Sequence, residues 1–164
     1  MSQADQNRIE LTQSGKIEGR LRGGLRGLAM EIEGRCYCGN IRYTVQGDPM
    51  MKIQCHCREC QYISGGSPNV TLAIPDAGFS YTKGRAKEFR RKDLEAPVTR
   101  EFCGDCGTHL LSRAPSLPGT VLLKAGTFDD PSLFEAPGVA IYTVDAQPFH
   151  HIPEGIPAFE QTPS

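Results

Sequence analysis

The sequence predicts a mostly-β fold, and three observations carry that expectation. Eighteen glycines and twelve prolines in 164 residues favour short strands and frequent turns. Short runs alternate apolar and polar side chains with a period of two, the signature of half-buried strands. No segment shows a convincing amphipathic helical period, and tryptophan is absent.

Taken in order, residues 1–29 carry no apolar periodicity, with Arg8, Lys16, Arg20, Arg22 and Arg26 set against Asp5, Glu10 and Glu18. They are expected to lie outside the fold, either as a disordered N-terminal extension or as a segment added for expression. The stretch Ile17-Glu18-Gly19-Arg20 reads as a protease-cleavable linker, and Met30 as a natural start. A single domain over residues 30–164 is expected. From residue 41 the alternation begins, with Ile41, Tyr43 and Val45 on one face and Arg42, Thr44 and Gln46 on the other. Further strands are predicted over residues 69–74, 79–82, 99–102, 109–113, 120–124 and 139–144, divided by Gly, Pro or Asp turns. The best short helix candidate is 57–63, and 130–134 is expected to form one turn.

Eighteen basic and nineteen acidic residues leave a formal charge of -1, which gives no global electrostatic case for nucleic acid, a membrane surface or a polyanionic partner. No stretch reaches the length of a transmembrane helix, and the first thirty residues lack an apolar secretory core. A soluble, cytoplasmic protein is expected, with its cysteines reduced.

The seven cysteines fall into three groups: Cys36-Tyr37-Cys38-Gly39, Cys55-His56-Cys57-Arg58-Glu59-Cys60 and Cys103-Gly104-Asp105-Cys106-Gly107. One or two residues between cysteines allow both sulfurs to reach one tetrahedral ion. Glycine after Cys38 and after Cys106 suits the tight turn that aims backbone amides at thiolates. The first and third groups therefore look like halves of one closed four-cysteine zinc site, clamping together chain segments separated by 64 residues. Disulfides are the alternative, disfavoured by strain at such spacings.

The middle group has three cysteines, so an ion there keeps a fourth position for chemistry or a ligand. His56 as fourth ligand would instead make it a second structural site, although alternation between Cys55 and Cys57 points the imidazole away. A Cys-x-x-Cys redox pair is a third reading, lacking the strand-then-helix setting such pairs use. Three thiolates on one zinc ion give a formal charge of -1, a poor setting for hydroxide and a good one for a soft ligand such as a substrate thiol. Arg58 and Arg100 are placed to offset the thiolate charge, or are ordinary surface cations.

These motifs, together with Ser64-Gly65-Gly66, the run Arg100-Glu101-Phe102 before Cys103, Gly126-Thr127-Phe128-Asp129-Asp130-Pro131 and the ending Ile152-Pro153-Glu154-Gly155-Ile156-Pro157-Ala158-Phe159, resemble the glutathione-dependent formaldehyde-activating enzyme family, the group shared with centromere protein V. The resemblance runs from about Met30 to Phe159. It implies a β-tent architecture of small packed antiparallel sheets and two Zn2+ ions per chain. Cys36, Cys38, Cys103 and Cys106 would hold the structural ion, and Cys55, Cys57 and Cys60 the catalytic one. The implied activity is that of a carbon-sulfur lyase, condensing formaldehyde with glutathione to S-(hydroxymethyl)glutathione. Members often carry a tryptophan near the C-terminal segment, where this chain has Phe149-His150-His151, which implies a different pocket wall.

The rival function is a non-enzymatic zinc-stabilised binding module. Lys83, Arg85, Lys87, Arg90, Arg91 and Lys92, interrupted by Glu88, could grip glutathione carboxylates or phosphates, or form a solvated face. Aromatics for base stacking are sparse there, so nucleic acid is not expected as a partner. His150 and His151 face opposite ways if extended, so at most one is expected to reach the pocket as a proton carrier, and the bland alternative is a surface pair beside a core Phe149. The arginine fork matches a carboxylate, which makes Arg58 and Arg100 the candidates for binding glutathione.

Overall fold

A computed structural model describes residues 30–163; residues 1–29, expected to lie outside the fold, fall outside the described residues. Among the described residues, ten strands form two sheets, and one short α-helix accompanies them. The smaller sheet has the order β1-β2-β5, with β1 at Glu31–Arg35, β2 at Arg42–Gln46 and β5 at Phe79–Lys83. The larger has seven strands in the order β10-β3-β4-β9-β8-β7-β6. Its members are β3 (Met51–Cys55), β4 (Asn69–Pro75), β6 (Lys87–Phe89), β7 (Thr99–Phe102), β8 (His109–Arg113), β9 (Thr120–Lys124) and β10 (Val139–Ile141). All pairings are antiparallel except β10 with β3, which is parallel. The molecule is mostly β, as the composition and period-two runs predict.

Three strands, β1, β3 and β6, lie outside the predicted runs. In β1, Ile32 and Gly34 are the inward positions, so only one sizeable apolar side chain marks the buried face. Gly34 is required there by close approach, because a Cβ would overlap the phenol of Tyr43. Strand β3 buries Ile53, Gln54 and Cys55 in succession. Strand β6 is an exposed edge inside the basic run. Conversely, the predicted strand over residues 139–144 stops at Ile141, because Tyr142 takes a left-handed conformation (φ 56°) and a 3-10 turn, Thr143–Asp145, follows. Helix α1 is Arg58–Ile63, and the turn at Pro131–Phe134 is 3-10.

The main core lies between the sheets. Ile32, Tyr43 and Val45 of the small sheet meet Leu72, Ile74, Leu111, Val121 and Leu123 of the large one. Fully burying an aliphatic side chain of this kind is worth about 2 kcal/mol, which makes this layer the main source of cohesion. Cross-strand partners share a face. Leu72 pairs with Leu123 and Leu123 with Leu111, which places all three on the core side of the large sheet. The intervening positions face the other way. No helix among the described residues is long and apolar enough to cross a membrane.

Candidate functional site

The outward face of the large sheet is the floor of a cavity of about 440 Å³. Its register explains the lining. Cys55 pairs with Asn69, Ile53 with Thr71, Thr71 with Lys124, Leu122 with Ser112, and Ser112 with Arg100, so all of these side chains stand on one surface. Above them lie α1, the approach to β7 through Leu94, Ala96 and Val98, and Tyr142 and Asp145 beyond β10.

The structure brings the seven cysteines into two groups, each with its sulfurs within 4.8 Å of one another, and none is in a disulfide. Cys36, Cys38, Cys103 and Cys106 form the first, with sulfur separations of 3.4 Å for Cys36–Cys38 and 3.8 Å for Cys38–Cys103. They sit in two similar turns. In the turn leaving β1, Cys36 N–H donates to Ile41 O and Gly39 N–H to Cys36 O; in the turn leaving β7, Cys103 N–H donates to Thr108 O and Gly107 N–H to Cys103 O. Gly39 (φ 74°) and Gly107 (φ 73°) take the left-handed conformation that such turns demand. Further bonds stitch the turns together, from Tyr37 N–H to Thr108 Oγ1 (3.0 Å) and from Asn40 Nδ2 to Asp105 Oδ2 (2.8 Å). Hydrogen bonds from the Thr108 hydroxyl and backbone pull the Cys106 thiol down to about 5.

Cys55, Cys57 and Cys60 form the second group, at the end of β3 and the start of α1, and all three line the cavity. Cys57 caps the helix, its sulfur accepting Cys60 N–H at 3.4 Å. Hydrogen bonds from Cys55 and Cys57 hold Cys60 down at about 3, while bonding to the sulfurs of Cys57 and Cys60 pushes Cys55 far above the thiol range. Asn69 Nδ2 donates to the Cys60 sulfur at 3.5 Å. Burial draws Lys124 down to about 8, against the upward pull of Cys60. These amide-to-sulfur bonds, and Ile41 N–H to Cys36 Sγ at 3.3 Å, are what thiolates require. Unpaired thiols clustered in fours and threes with such donors suit a soft divalent ion, so both groups can hold a metal.

His56 is turned out of the cysteine group. It is fully buried, its Nδ1 lies 3.0 Å from Nδ1 of His150, and burial lowers its pKa. His150 Nε2 meets Gly66 O at 2.8 Å. His151 is exposed, and neither His150 nor His151 lines the cavity. Phe149, which the bland alternative places in the core, is 73% exposed. The departure at Phe149-His150-His151 therefore does not alter the cavity wall.

Arg58 and Arg100 both reach the cavity, in different states. Arg100 is buried on the floor and donates to Glu59 Oε2 at 2.7 Å. Arg58 is exposed at the mouth, bonded to Gln61 Oε1 and 5.4 Å from the ring centre of Tyr62. The basic run is a solvated face. Arg90 pairs with Glu88 and Arg91 with Asp93, while Arg91 also reaches Glu59 at the cavity (3.0 Å) and Lys83 donates to Gly39 O in the four-cysteine turn (2.8 Å).

Several residues at the site carry no sequence signal. Lys124 closes an ordinary strand, and Asn69 opens one. Gln61, 3% exposed, donates from Nε2 to His56 O (2.6 Å) and Asp145 O (2.9 Å), tying α1 to the segment after β10. Only the contacts that folding brings about reveal them.

The fold has a counterpart among solved structures, and the sequence has named relatives. A crystal structure of a Rhodobacter sphaeroides protein superposes with a TM-score of 0.50 at 14% identity, over 60% of this chain and 88% of that one, and shares the fold. Three relatives carry the name glutathione-dependent formaldehyde-activating enzyme. Those of Emericella nidulans and Penicillium rubens are 29% and 30% identical over 80 and 81 residues, 48% of this chain in each case. The match spans only 40% and 42% of their own length. The relative from Halomonas elongata is 29% identical over 107 residues, 61% of this chain and 67% of that protein. The profile of the same family covers residues 31–145, which take in both cysteine groups and most of the cavity floor; the chain belongs to the glutathione-dependent formaldehyde-activating enzyme family.

Proposed function

We infer that the chain is a zinc-dependent carbon-sulfur lyase that binds a thiol such as glutathione beside Cys55, Cys57 and Cys60 and condenses it with formaldehyde or another small electrophile, as an S-(hydroxymethyl)glutathione synthase does. One observation carries this reading: a group of three thiols, one short of a closed donor set, stands in the wall of a cavity. A zinc ion held by these three would supply a soft position that takes a substrate thiol as thiolate and keeps it nucleophilic. Cys36, Cys38, Cys103 and Cys106 would hold a second, structural zinc ion away from the chemistry. Residues 30–164 would act as one zinc-binding domain, with residues 1–29 outside it and a cytoplasmic place of action.

The chain's own residues supply orientation and dryness. Asn69 steadies the Cys60 sulfur, and Cys60 N–H steadies that of Cys57. The apolar side chains of Ile53, Leu122 and Ile141 keep water from the floor. Arg58 offers a guanidinium fork to a peptide carboxylate at the mouth, and Arg100 a second one if Glu59 yields it.

Cobalt exchanged into the three-cysteine site should give a thiolate charge-transfer band that shifts with glutathione and stays put with S-methylglutathione. Formaldehyde should then disappear faster than in the unaided condensation. An unchanged band at millimolar thiol, with no rate above background, would reject the enzyme and leave the zinc-stabilised binding module.

A further inference from the structure

The cavity floor holds a charge for which formaldehyde has no use. Lys124 on β9 is 7% exposed and lines the cavity, and its ammonium makes no hydrogen bond or ion pair among the described residues. A cation withdrawn from water is costly unless something pairs with it. The two arginines of the cavity differ in this respect. Arg100 already has Glu59 at 2.7 Å, and Arg58 keeps its charge at the exposed mouth. Lys124 therefore presents unbonded donors to whatever enters, between the sulfurs of Cys55, Cys57 and Cys60 that attract its charge and the Arg100 cation that opposes it. Formaldehyde is neutral and fills little of a cavity of about 440 Å³.

We propose that Lys124 receives a carboxylate carried by the electrophile, so that this cavity takes short 2-oxo acids, with the thiol adding to the carbonyl carbon next to the carboxylate. The spacing favours a short molecule. Lys124 and Cys55 stand on one sheet face, two strands apart and offset by two residues, so their Cα atoms are about 12 Å apart on standard sheet geometry. The flexible lysine side chain and a sulfur held at the cysteines rise from the same face into one cavity, which suits an electrophile of a few atoms between them. In the step itself the thiolate sulfur bonds to the carbonyl carbon and the C=O π pair moves to oxygen. That oxygen takes the proton given up by the thiol. The carboxylate is unchanged, and no oxidant or reductant is consumed. The reaction half of the inference rests on the proposed thiol chemistry; the binding half rests on the cavity alone.

The test uses the zinc-loaded full chain and oxamate, an unreactive carboxylate-next-to-carbonyl probe, against neutral acetamide by titration calorimetry. Wild type should bind oxamate at least tenfold more tightly, Lys124→Met should lose that preference, and Lys124→Arg should retain part of it. Zinc content and melting temperature check that the variants are intact. Equal binding of the two probes by wild type overturns the assignment whether or not the variants fold, as does an undiminished preference in Lys124→Met. If Lys124 only balances the thiolate charge, Lys124→Met loses zinc while the probe preference survives, which overturns it too. Saturating S-methylglutathione separates the two sources of carboxylate: oxamate should still bind, and its displacement would give the ammonium to the peptide instead. A silent cobalt band with glutathione would reject the thiol reading separately, whatever oxamate does. With glutathione present, glyoxylate should be consumed at least tenfold faster than formaldehyde relative to their uncatalysed rates, and a ratio of one or less overturns the substrate class.

Discussion

His109 opens β8 with an Nδ1 atom buried and unpartnered, and burial, with Lys124 and Arg100 adding to it, drives its pKa down to about 3. The native state thus holds the imidazole neutral, whereas the unfolded chain protonates it near pH 6.5. Its contribution is present above that value and lost as pH falls from about 6.5 toward 3. Denaturant unfolding between pH 4 and 8 should show wild type losing up to about 1 kcal/mol more per pH unit than His109→Phe below pH 6.5, after allowance for partial exposure, with parallel curves above pH 7. Parallel curves throughout would show that His109 titrates normally. Nothing in the sequence marks this residue, because its state depends on cations of β7 and β9 that only the sheet brings near. Cysteine spacing, in contrast, is a local property, and all seven thiols gather in the groups that their spacing suggests.

Helix α1 is too short to be stable alone and owes its place to its ends. The Cys57 sulfur caps the start, and Gln61 fastens the middle to the carbonyls of His56 and Asp145. Gln61→Leu should strand both carbonyls, cost about 2 kcal/mol of stability and weaken zinc at the three-cysteine site 10- to 100-fold by competition with a chelator. Unaltered zinc affinity would mean that the cysteines hold their arrangement without the helix. Strands were legible where their two faces contrast, as in β2, with Tyr43 and Val45 inward and Thr44 outward. They were not legible in β1, whose buried face has a glycine, or in β3, whose last three residues are all buried beneath neighbours on both sides. The end of β10 was overrun because Val144 continues the apolar pattern, while the left-handed Tyr142 has already turned the chain away.

The four-cysteine group joins the turn after β1 in the small sheet to the turn after β7 in the large one, 65 positions apart between Cys38 and Cys103. By analogy with a covalent cross-link, closing a loop of that length removes unfolded-chain entropy worth about 4 kcal/mol. Cys103→Ser should therefore abolish soluble folding, while Cys57→Ser should leave a folded chain that has lost the labile ion. Elemental analysis during graded chelation should show two zinc ions leaving in sequence, with melting only at the second. Equal thermal losses for the two mutants would refute the division of labour. The large sheet separates its duties by parity. Leu72, Leu123 and Leu111 hold the fold together, while the residues beside them in sequence, Thr71, Leu122 and Ser112, meet whatever occupies the cavity. A lineage can thus rewrite its chemistry one letter in two, leaving the alternate letters as a fixed scaffold. Ligand preference in such a chain is free to drift faster than its architecture.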